Sequence, residues 1–65
     1  MLTVRANQLH CGDVIREHDW TLHITNVEPA EITGGQVVFA VAEFEFPLHR
    51  RPLERVQLVT HEVRA

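Results

Sequence analysis

At 65 residues the chain has room for one domain at most, and a domain of that size has only just enough interior to hold itself together. Its usage is ordinary and globular: 45% hydrophobic, 23% charged, three glycines and three prolines, which argues against disorder and low complexity. The longest uninterrupted apolar run, 37–42, is six residues, too short for a membrane span, and no secretory signal is recognisable, so a cytoplasmic protein is expected. One cysteine, Cys11, allows neither an internal disulfide nor a thiol-built zinc cage.

The formal charge of -3 has the wrong sign for a general nucleic-acid binder. Its distribution is uneven. Residues 1–48 hold two arginines against seven acids, a balance of -5, while residues 49–65 hold four arginines against two acids, a balance of +2. Every basic residue is arginine, which forks onto carboxylates and phosphates and stacks on rings as lysine does not.

β-branched and aromatic residues dominate, and no stretch keeps a helical apolar period for ten positions, so the chain reads as nearly all β. Residues 2–5 fit a short first strand, 6–9 a helical turn, and Cys11, Gly12 and Asp13 a tight turn. A strand over 13–18 turns back at His18 and Asp19. Trp20, Leu22 and Ile24 then alternate with polar residues, until Asn26 breaks the phase as a bulge would. Residues 28–36, with Pro29, Gly34 and Gly35, read as an exposed, mobile loop and a candidate binding loop.

The segment 36–46 reads as the longest strand, apolar in both phases. Either it curves across two packed layers and buries each phase in turn, or Val37, Phe39 and Val41 form a face for a second copy of the chain. Pro47 and Pro52 bracket a turn carrying His49, Arg50 and Arg51, with Leu53 as its apolar anchor. Residues 54–63 close the fold, giving five or six strands: a small all-β, SH3-like barrel with a short turn before the last strand.

The run Val4, Arg5, Ala6, Asn7, Gln8, Leu9, His10, Cys11, Gly12, Asp13, Val14, Ile15, followed by Trp20 and then 24–27, resembles the opening of SH3-like and KOW-like barrels. In those, a leucine shortly ahead of Gly-Asp leads into a strand and the next strand carries an aromatic. The layout is similar to the amino-terminal barrel of translation elongation factor P and to small barrel proteins of actinobacteria and their phages. The chain departs from the elongation factor in lacking its lysine-bearing tip. The resemblance is carried by residues 4–28 and implies a single SH3-like β-barrel domain over residues 1–65 and a small accessory protein.

Chemistry is sparse. His10, Cys11, His18 and His23 lack the paired spacing of a zinc site, and Cys11 beside His10 lacks a third group to hold the base and a cleft for substrate, so no metal, no cofactor and no catalytic residue is assigned. The sharpest feature is the group His49, Arg50, Arg51 and Arg55, read either as a solvated turn offsetting Glu43, Glu45 and Glu54 or as a recognition patch for a partner protein. Trp20 fits a core cap more readily than a surface platform, but an exposed Trp20 would join that patch. The leading expectation is a non-catalytic module that binds another protein; a KOW-like nucleic-acid-binding barrel using Arg50, Arg51, Arg55 and Trp20 is the alternative.

Overall fold

The computed structural model describes residues 2–59. Strand β1 (Leu2–Arg5) runs into a 3-10 turn (Ala6–Gln8), and β2 (Val14–Glu17) and β3 (Trp20–Glu28) form a hairpin. A single helical turn, α1 (Ala30–Thr33), leads to β4 (Val37–Val41), β5 (Leu48–Arg50) and β6 (Arg55–Leu58). The six strands make one antiparallel sheet in the order β1-β6-β2-β3-β4-β5. None of the described helices is long and apolar enough to cross a membrane.

The sheet bends at β3. Its first half pairs with β2 and its second half with β4, and the register slips between Ile24 and Asn26, where the broken apolar phase of the sequence places a bulge. Bending brings Ile15, Leu22, Val56 and Leu58 from one side against Val37, Phe39 and Val41 from the other, in a single buried cluster closed by Ala6 and Leu9. The two outer strands, β1 and β5, do not pair with each other.

Several sequence expectations change here. Val37, Phe39 and Val41 are 1%, 1% and 4% exposed, so they are core and offer no face to a second chain. The strand they lie on stops at Val41 rather than continuing to residue 46. The bracketed segment 48–50 is an edge strand, a place where the flanking prolines cost no ladder bond because only one side is paired. Leu53 is 66% exposed and anchors nothing. The loop over 28–36 contains a helical turn, closed by Gly34 at φ 84 and by Thr33, whose hydroxyl lies between the carbonyls of Pro29 and Gln36, either of which can accept its proton. The closing strand is described over Arg55–Leu58; the remainder of its expected span, from residue 60, lies outside the described residues.

Candidate functional site

The turn before β2 is built as its residues suggest. Gly12 takes φ 95, a left-handed conformation open to glycine. Asp13, 8% exposed, accepts a hydrogen bond from the His10 backbone N–H at 2.8 Å through its carboxylate. The Cys11 thiol donates to the carbonyl of Thr25, the residue passed over by the bulge, at 3.0 Å. That contact gives the cysteine a local structural partner. Beside it lies a cleft of about 420 Å³ lined by Leu9, His10, Cys11, Asn26, Val27 and Pro29 among others, a space that the spacing of the sequence did not indicate.

The candidate residues of the recognition patch separate into three places. Arg50, on β5, forms an ion pair with Glu17 of β2 and a longer contact of 3.8 Å with Glu54, and its own Nη1 donates to the His49 carbonyl at 2.7 Å. Its side chain is only 24% exposed. Arg50 therefore ties one edge of the bent sheet to the strand at its middle. Arg51 is exposed in the turn, where its backbone N–H donates to Glu54. His49 is exposed on β5. Arg55 lies on β6 and points to the outer side of the sheet, with Nη1 donating to Thr3 Oγ1 at 3.5 Å. The four do not form one patch.

Trp20 is 56% exposed, and the expectation of a core position is corrected. It stands directly opposite Glu17 across the hairpin, on the same side as the buried pair Ile15 and Leu22 two residues away. The inner face of the sheet therefore runs out of the core and ends at Trp20, with the Glu17–Arg50 pair beside it. Phe44 packs edge-on against the indole, with ring centres 5.3 Å apart at 66°, and Phe46 stacks on Phe44 at 5.2 Å and 3°. Phe44 also packs against the core, whereas Phe46 is 61% exposed.

This aromatic row exists because β4 ends where it does. The His23 carbonyl accepts the Ala42 N–H at 2.9 Å as a ladder bond, but the His23 N–H donates to Glu43 Oε1 at 2.8 Å instead of to a backbone carbonyl. Glu43 Oε2 also meets His23 Nδ1 at 2.6 Å. These bonds, the one from the His23 N–H foremost, hold the Glu43 carboxyl below its ordinary pKa. With the ladder ended by a side chain, the backbone of 44–46 is free to turn its rings toward Trp20. The sequence carries the three aromatics openly, but their meeting depends on a termination that no spacing shows.

No family model matches the chain, and no curated protein or solved structure matches it.

Proposed function

We propose that the protein is a non-catalytic binding module, a partly open SH3-like barrel that docks onto another protein at the end of the sheet marked by Trp20, Phe44 and Phe46. The observation that carries this reading is the exposed aromatic row itself: Trp20 and Phe46 are each more than half exposed yet ordered by ring contacts that continue from the core. Large, rigid aromatic side chains held in place lose little freedom on binding, which makes them effective anchors at interfaces.

The order of strands supports the barrel. β2, β3, β4 and β5 form a meander, and β6 returns to lie beside β2, as in a small barrel with one added outer strand. The partner expected at the aromatic end is an apolar segment with basic residues. Asp19 precedes Trp20, Glu45 lies between the two phenylalanines, and a cation over a ring face gains from both ring and carboxylate. The absence of a chemical role is inferred from how the polar groups are employed: Asp13 and Glu43 accept backbone N–H bonds, Glu17 holds Arg50, and the Cys11 thiol donates to a carbonyl.

Selection from a random peptide library tests the proposal, using wild type and Trp20→Ala as parallel baits. Enrichment of apolar, basic peptides on wild type, with loss on a folded Trp20→Ala, is the expected result. Peptides retained equally by both baits would place the docking surface elsewhere.

A further inference from the structure

The register of the strands assembles a second surface that is scattered in the sequence. Because Ile15, Leu22, Val56 and Leu58 point into the core, their neighbours point outward. On the outer side of β1, β6, β2 and β3 stand Thr3, Arg5, Arg55, Gln57, Val14, Arg16, Thr21 and His23. None of these eight is acidic, and the one carboxylate described against them, that of Glu43, is held by His23 at the β3 edge of the face. Thr3, Gln57, Arg16 and Thr21 make one continuous row across the four strands, and Arg5 stands directly opposite Arg55 in the next row. Arg16 is one strand and two residues from Arg55, so the three guanidiniums are rooted roughly 5 to 8 Å from one another or from a shared neighbour.

Two like charges placed directly opposite across a ladder repel. Among the described residues no acid forms an ion pair with Arg5 or Arg55: Glu54, next to Arg55 in sequence, contacts the Arg51 N–H and Arg50, and Arg55 turns instead toward the Thr3 hydroxyl. Arg5, Arg16 and Arg55 are all exposed. The face thus concentrates half of the molecule's arginines on a protein whose net charge is -3, among side chains that donate hydrogen bonds.

From this geometry we infer that the outer face of β1-β6-β2 binds the phosphate backbone of a nucleic acid strand, independently of base sequence. Arginine forks onto phosphate oxygens, and the threonine and glutamine side chains between the arginines donate to the same acceptors. An acidic protein surface is the competing class of partner, and the composition disfavours it. Protein interfaces are anchored by a buried apolar or aromatic centre, and the apolar residues described on this side, Val14 and Val59, pair with each other at one end of the face and are both half-buried. The site is separate from the aromatic end of the sheet and does not depend on it.

The test is fluorescence anisotropy of a labelled oligo(dT) of about 12 nucleotides titrated with the full chain between about 20 and about 200 mM salt, with a labelled oligoglutamate of equal charge in a parallel arm. Three phosphate contacts on a single strand give a slope of log affinity against log salt of about -2. Arg5→Gln/Arg55→Gln is expected to lower affinity at least about tenfold and to flatten that slope, while unfolding at no lower urea concentration, because it removes a repulsion. Arg16→Gln is the second variant if the double one does not fold, and Arg51→Gln, off this face, should bind as wild type does. Absence of oligo(dT) binding at the lowest salt, binding insensitive to Arg5, Arg55 and Arg16, or capture of the glutamate peptide in preference to oligo(dT) would each overturn the inference.

Discussion

Glu43 holds His23 at two points, the backbone N–H at 2.8 Å and the ring Nδ1 at 2.6 Å, and so closes the β3–β4 ladder with a carboxylate where a backbone carbonyl would otherwise stand. The same contact makes a part of the stability depend on pH. The Glu43 carboxyl lies below its ordinary value of 4.5 because of the His23 N–H first and the ring contact second. A carboxyl with a depressed folded pKa adds stability that is present above its unfolded pKa and is lost as pH falls through its folded one. Urea midpoints of wild type and Glu43→Gln, followed from about pH 7 to about pH 3, should therefore differ most at the upper end and converge at the lower. A gap that stays constant over the whole range would show that the charge is not what the contact uses.

Phe39 is the largest fully buried side chain. Its replacement by alanine should cost about 3 to 5 kcal/mol, comparable with the entire stability expected of so small a domain. Phe39→Ala is expected to lose the dispersed amide spectrum of a folded protein, and Phe39→Asp to have no folded monomer at any concentration. A soluble, folded, monomeric Phe39→Asp would restore the interface reading of Val37, Phe39 and Val41.

Arg50 and Glu17 join an edge strand to a central one while both are largely covered. Arg50→Ala should destabilise by about 1 to 2 kcal/mol, and a double-mutant cycle with Glu17→Ala should show coupling of about 1 kcal/mol. Arg51→Ala, in the neighbouring turn, should stay within about 0.5 kcal/mol of wild type. Equal effects at the two arginines would return Arg50 to the solvated turn suggested by its sequence neighbours.

His18, the first residue of the β2–β3 turn, takes φ 55, a conformation that disfavours branched side chains. His18→Val should lower stability by about 1 to 2 kcal/mol, and His18→Gly should match or slightly exceed wild type. Thermal unfolding of the three proteins side by side decides it; a Val variant as stable as the Gly variant would mean that the turn changes its path.

The elements that could be read from the chain are those whose signals are local. The span of β1, the Gly12 turn, the β2–β3 hairpin and the bulge after Ile24 each follow from alternation or a turn residue within a few positions. The short edge strand Leu48–Arg50 escaped because two prolines suggested a turn, and its pairing with β4 is a tertiary fact. Arg50 and Arg51 are adjacent in the chain, yet one is committed to Glu17, 33 positions away, and the other is exposed. The outer arginine face was equally hidden, since Arg5 and Arg55 become neighbours only when β6 has found its register against β1.

That register also orders events on the ribosome. β1 and β2 follow one another in the chain, but β6 is inserted between them, so β1 has no strand to pair with until Arg55–Leu58 has been synthesised. Folding of the complete sheet therefore waits for β6 and is dominated by a contact between elements far apart in the chain, and nascent chains stalled before residue 55 should remain open to proteases however long they wait.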